Sequence, residues 1–187
     1  MNFRILIAFI LLSASVKIFA QETISLNGKW LFALAKNESE ADKLSKFYTY
    51  SFDHSIFKPT PVPSNWAVQG FEEPIYRGFE DDKASEGFYI YDFTVPAGWT
   101  EKNINLHFGG VWSSAEVWLN GNPVGTHYGG YTSFSFNVND KIKPGESNRL
   151  AVRVSQISPD YKFDVYDDWT LGGIYRDVSL EALPKNR

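Results

Sequence analysis

Between Leu106 and Val138 the chain alternates so regularly that a strand-based body is the only economical use of it. Ala115, Val117 and Leu119 fall on one side, and Glu116, Trp118 and Asn120 on the other. A period of two sends successive side chains to opposite faces of a pleated strand, so this stretch predicts a half-buried strand. Asn120-Gly121 follows, and both residues tolerate the positive φ that a primed hairpin turn demands. Thr132, Phe134, Phe136 and Val138 then share one face, against Ser133, Ser135 and Asn137. Strands with one apolar face each need a second layer to cover them. The segment therefore predicts an all-β sandwich of two antiparallel sheets.

The remaining segments fit that class. Leu31, Phe32 and Leu34 begin a first strand, and Phe88 to Val95 reads as a second, closed by Pro96-Ala97-Gly98. Ile104, Leu106 and Phe108 form the next, and Leu150, Val152 and Val154 alternate with Ala151, Arg153 and Ser155. Ile174 to Leu180 is expected to be the last strand. Asn37 is placed to cap one helical turn through Ala41 and Leu44, with an ordered surface loop as the alternative. Asn37-Glu38-Ser39 also matches a glycosylation sequon, a triplet too common to carry weight. Prolines 59, 61 and 63 forbid a helix or a central strand, and predict an extended crossing that ends on a buried Trp66. Gly70 to Glu86 and Tyr161 to Thr170 read as loops rich in charge, and the first is long enough to be functional.

The first twenty residues stand apart. Arg4 precedes the apolar run Ile5 to Leu12, which continues through small residues to Phe19-Ala20. This is the pattern of a secretory signal peptide cleaved after Ala20, so a periplasmic or secreted location is expected. The alternative is an uncleaved anchor, for which the run is short. Residues 21–187 would then form one domain, with 43% hydrophobic and 17% aromatic residues over the whole chain to build its core. There is no cysteine, so no disulfide can staple it. The net charge is −4 with acids and bases interspersed, which leaves no basic stripe for nucleic acid.

The chemistry-bearing residues are sparse. Glycosidases work with two carboxyl groups at a set separation. Asp167-Asp168, Glu72-Glu73 and Asp81-Asp82 are adjacent pairs, whose members point to opposite sides of an extended chain. They are expected to be solvated loop charges. His54, His107 and His127 lack zinc-ligand spacing, and His107 reads as a surface residue. Trp112, Trp118, Tyr128, Tyr131 and Trp169 could stack on sugar rings, or could pack between the sheets or against a neighbouring domain.

One ordered set of short pieces carries a resemblance. It runs Leu26-Asn27-Gly28-Lys29-Trp30, Val62-Pro63-Ser64-Asn65-Trp66 with Gly70, and Pro74-Ile75-Tyr76. Gly87-Phe88-Tyr89 with Phe93-Thr94-Val95-Pro96, Phe108-Gly109-Gly110-Val111, and Val117-Trp118-Leu119-Asn120-Gly121 with Val124-Gly125 come next. Asn148-Arg149-Leu150-Ala151-Val152, Asp167-Asp168-Trp169 and Gly173-Ile174-Tyr175-Arg176-Asp177-Val178 complete it. The set resembles the N-terminal sugar-binding jelly-roll domain of glycoside hydrolase family 2, leaning toward the bacterial β-galactosidase branch.

The resemblance implies a jelly-roll β-sandwich that helps shape a substrate pocket and carries no catalytic residue itself. The family's two catalytic glutamates lie in a later TIM barrel. Missing Ig-like and barrel domains are therefore the implied partners, together with a β-linked oligosaccharide. A homo-oligomer is implied for the full-length enzyme, and the chain is expected to be the front end of a truncated gene or a cut fragment. Asp167 matches an Asp that contributes to the sugar and cation site of the branch. This makes Asp167, Asp168 and Trp169 the expected substrate-facing residues and Asp167 the expected metal contact. The domain itself would need no cofactor, and a sodium or magnesium ion would belong to the full-length enzyme. The branch's second contributor, an Asn after Pro-Ile-Tyr, has no counterpart in Arg77 to Glu86. Arg176-Asp177 reads as a structural ion pair or turn bond. A stand-alone carbohydrate-binding module and a cell-surface interaction domain are the competing readings, since sandwiches host all three.

Overall fold

The Asn120-Gly121 turn is a primed hairpin: φ is 54° at Asn120 and 79° at Gly121. It joins β8 (Ser114–Leu119) to β9 (Asn122–Tyr128), and Ala115, Val117 and Leu119 are buried as their alternation requires. The computed structural model describes residues 21–77, 85–157 and 168–185, with the backbone alone for 75–77 and 168–170. The expected signal peptide lies outside the described residues. Among those described, no helix is long and apolar enough to cross a membrane.

Two antiparallel sheets form the body. The larger one adds β2 (Gly28–Ala35), β3 (Lys58–Val62), β5 (Glu86–Thr94) and β11 (Ser147–Ser155) to the hairpin, in the order β3-β2-β5-β11-β8-β9. The smaller comprises β1 (Glu22–Ser25), β6 (Lys102–Phe108), β10 (Phe134–Asn137) and β14 (Val178–Pro184), in the order β1-β14-β6-β10. Between them lie Trp30, Phe32, Tyr89, Leu106, Phe108, Val117, Val152 and Leu180, all nearly inaccessible to water. Each such large apolar side chain contributes roughly 1.5–3 kcal/mol on burial. Burial also pushes the Tyr89 hydroxyl far above its ordinary pKa. The chain changes sheets after β9, and Phe136 of β10 closes the corner against Gly125 of β9. A Cβ on Gly125 would stand 2.5 Å from the Phe136 ring.

The outer face of the larger sheet is covered too. The helix α1 (Glu38–Lys43) begins at Asn37, whose side chain accepts from Glu40 N at 3.0 Å. Leu44, Phe47, Phe52 and Phe57, which follow it, pack on Ala33, Phe88, Ile90 and Ala151. Trp118 lies in this layer, stacked on Tyr48 with ring centroids 4.9 Å apart. Its alternation had placed it on the polar side of β8; a third layer makes that side apolar.

Three further expectations are refined. The proline-rich segment is a true strand, β3, but at the sheet edge, where missing N–H donors cost nothing. Each long loop contains a short strand: β4 (Ile75–Arg77) pairs with β12 (Asp168–Thr170). The expected last strand is interrupted. Gly173–Ile174 forms β13 against β7 (Val111–Trp112), and β14 starts only at Val178. Between them Asn27 Nδ2 donates to Asp177 Oδ1 at 2.9 Å, and Asn27 Oδ1 accepts from Val178 N at 3.0 Å.

Candidate functional site

One end of the sandwich gathers the segments in which function was sought. Strand register puts Glu86 opposite Ser155, Ser155 opposite Ser114, and Ser114 opposite Tyr128. From the smaller sheet, Phe108 arrives at the same end paired with Phe134 and Val178, because only a few residues separate β6 from β8. The described residues that flank 78–84 and 158–167 all lie here. These stems are tied at both ends. Arg77 is paired with Asp168, and Ser85 is joined to Gln156 through Ser85 N to Gln156 Oε1 at 3.0 Å and Gln156 N to Ser85 O at 3.3 Å.

Beneath these stems sits Glu72. Its carboxylate accepts from Trp66 Nε1, from Ser85 Oγ at 2.6 Å and from Gln156 Nε2 at 2.9 Å. Ser85 and Gln156 are buried, and Trp66 is wholly so. Glu72 is therefore no solvated loop charge, contrary to the expectation for the Glu72-Glu73 pair; Glu73 is exposed as expected. The same stretch reaches the far side of β12. Asn65 Nδ2 donates to Leu171 O at 2.6 Å, Trp66 N to Gly172 O at 3.0 Å and Ser64 N to Ile174 O at 2.8 Å.

Beside the stems lies an aromatic rim. Trp112 is buried, with its ring centroid 5.0 Å from that of Tyr131, and Tyr131 and Tyr128 are about half exposed, at 50% and 49%. Tyr175 donates its hydroxyl proton to Gly130 O at 2.6 Å. Arg176 Nη1 donates to Gly109 O at 3.4 Å and to Tyr131 O at 3.3 Å. Arg176 and Asp177 thus serve turns, through separate partners, rather than forming an ion pair with one another. His127 stacks on Phe134 at 4.0 Å and contacts Thr132 Oγ1 at 3.1 Å. His107 meets Ser135 Oγ at 2.9 Å on the outer side of the smaller sheet. His54 contacts Phe47 O at 2.7 Å within the third layer.

Of the expected site residues, Asp167 lies outside the described residues, as do Asp81 and Asp82. Asp168 and Trp169 begin β12, in register with Arg77 and Tyr76. Among the described residues, no group of three or more His, Cys, Asp or Glu could hold a metal ion. On the outer face of the same end, Arg153 grips Glu86 through two hydrogen bonds of 2.9 and 2.8 Å. Those hydrogen bonds raise the Arg153 pKa further.

The hub at Glu72 was invisible in the sequence. Its donors lie 6, 13 and 84 residues away, and no local pattern announces them.

Comparison with known proteins accords with this arrangement. The family model described as glycosyl hydrolases family 2, sugar binding domain, matches residues 23–184. A β-galactosidase from Priestia megaterium is 30% identical over 176 residues, spanning 86% of this chain and 17% of that protein. A β-galactosidase from Psychromonas ingrahamii is 33% identical over 170 residues, spanning 85% and 16%. Among solved structures, a β-glucuronidase from Bacteroides uniformis superposes with a TM-score of 0.70 at 32% identity, covering 88% of this chain and 18% of the other. The chain thus spans less than a fifth of the length of these relatives. A match that runs nearly the length of the sandwich, from β1 to β14, makes this chain a member of glycosyl hydrolase family 2, corresponding to its sugar-binding domain.

Proposed function

We propose that this domain is the non-catalytic, N-terminal carbohydrate-binding part of an exported β-galactosidase-like enzyme. In this reading it lends one wall to the substrate pocket of a catalytic barrel carried elsewhere in a longer polypeptide. The observation that carries the reading is the double tie between the stems of 78–84 and 158–167. It sets Asp168, the residue after Asp167 in the chain, in register with Arg77, the residue after Pro74-Ile75-Tyr76. Carboxylates bond sugar hydroxyls and cations, and neighbouring rings stack on the apolar faces of pyranosides. The small share of each relative that the chain covers supports the presence of further domains. The sodium or magnesium ion belongs to the same reading, with Asp167 as its contact, and export rests on the leader-like first twenty residues.

The test is kinetic. In the full-length enzyme, Asp167→Ala removes one charge-assisted contact of about 1.5–3 kcal/mol. The expected result is a roughly 10- to 100-fold loss in kcat/KM on β-galactosides, with altered dependence on added sodium or magnesium. Residues 21–187 alone are expected to hydrolyse no chromogenic glycoside. Unchanged kinetics in Asp167→Ala would remove Asp167 from the pocket, and hydrolysis by the domain alone would refute its non-catalytic role. The panel includes β-glucuronides, because the Bacteroides uniformis structure is a β-glucuronidase.

A further inference from the structure

The carboxylate of Glu72 bonds directly to two roots of the segments that the proposed function places at the substrate, and is linked to the other two through Trp66 and the chain itself. Ser85 ends one segment and donates to Glu72 Oε2 at 2.6 Å. Gln156 sits just before the other and donates to Glu72 Oε1 at 2.9 Å. Trp66 donates its indole N–H to Oε1, while its backbone N–H holds Gly172 O, two residues beyond β12. The fourth root, β4, starts three residues after Glu72 itself. A half-buried acid under three donors is held in place by all of them, and it holds them in turn.

We propose that Glu72 is the positioning residue of the substrate-facing end. Its carboxylate sets the spacing of the stems at Ser85, Gln156 and Trp66, without touching substrate. This inference rests on the functional reading above. It gives a role to a residue that the sequence offered only as one member of three adjacent acid pairs. Glu73, exposed beside it, is the internal control.

Glutamine at this position keeps an oxygen for Trp66 and Gln156 and presents its amide to Ser85 Oγ, which can turn to accept. Alanine abolishes the hub. The experiment compares Glu72→Ala, Glu72→Gln, Glu73→Ala and Asp167→Ala in the full-length enzyme. Peptide-resolved hydrogen exchange reads the stems, and steady-state kinetics reads their use. We expect exchange at Ser85–Glu86 and Gln156–Ile157 to accelerate at least tenfold in Glu72→Ala, while β5 and β11 keep their protection. KM should rise about tenfold with kcat changed less, Glu72→Gln should recover to within about threefold of wild type, and Glu73→Ala should match wild type.

Unaltered exchange in Glu72→Ala would overturn the inference whatever the kinetics. So would accelerated exchange with an unmoved KM while Asp167→Ala raises it; the functional reading would then survive. If neither variant moved kcat or KM, the functional reading would fall, and the positioning role with it. Should Glu72→Ala not fold, a Glu72→Gln enzyme with normal exchange and a normal KM supports the hub geometry. A Glu72→Gln enzyme with exchange accelerated throughout β5 and β11 would mark a purely structural residue and overturn the inference.

Discussion

Replacing Gly172 by alanine tests the packing on which the candidate site stands. Trp66 is wholly buried and lies on Phe32, with ring centroids 5.9 Å apart. Glycines close both of its flanks. A Cβ on Gly172 would stand 2.0 Å from Trp66 Cζ2, and one on Gly87 would stand 2.7 Å from Cζ3. Ordinary contact begins at 3.4 Å, so the ring or the backbone would have to yield by about 1.4 Å. Neither is free to do so. The ring is tied to Glu72 through Nε1, and Gly172 O accepts from Trp66 N at 3.0 Å. The backbone of Gly172 lies outside the left-handed region, so the penalty is steric alone. Overpacking of a close-packed interior costs about 1–3 kcal/mol, and the clamped ring argues for the upper end. At roughly 2–4 °C per kcal/mol for a chain of this size, Tm should fall by about 6–12 °C. Thermal and guanidinium unfolding followed by circular dichroism would measure it. Gly98→Ala is the control: nothing lies within 4 Å of its Cβ, and it should leave stability unchanged or slightly raised. A Gly172→Ala protein melting within about 2 °C of wild type would refute the packing argument.

Asn148 is fully buried and accepts from Lys143 N and Asn120 Nδ2, each at 2.8 Å, while donating to Lys143 O and Glu146 O. Asn148→Ala strands several of these groups and should cost about 3 kcal/mol in a denaturant titration, with the m-value unchanged. Asn37→Ala removes the helix cap and should cost about 1 kcal/mol by the same measurement. Glu22 is bonded by Lys102 and by Trp99 Nε1, which hold its carboxyl below the usual glutamate range. A depressed carboxyl supports the folded state above its unfolded pKa and ceases to do so as pH falls through its folded pKa. Denaturant midpoints of wild type and Glu22→Gln should therefore differ near neutrality and converge in acid, below the usual glutamate range.

What the sequence determined by itself were the features that neighbouring residues decide. Ala115, Val117 and Leu119 face the core because a strand has a period of two. Asn120-Gly121 turns because those residues accept positive φ, and Asn37 caps α1 because its short side chain reaches an N–H three residues on. These follow from local sterics and hydrogen bonding, and they were enough to predict a sandwich of antiparallel sheets.

Only the tertiary structure decided the rest, because the partners are distant in the chain. Trp118 reads as half-exposed until Phe47 and Tyr48 cover its strand from a segment some seventy residues earlier. Neither β4 nor β12 has a pattern of its own; each exists because the other supplies its hydrogen bonds. Glu72 looks like any loop acid, and becomes a hub only when folding delivers Ser85 and Gln156 to its carboxylate. Hydrophobic alternation is written along the chain, whereas the gathering of polar groups at one end is a product of closure. The body was therefore legible and the candidate site was not.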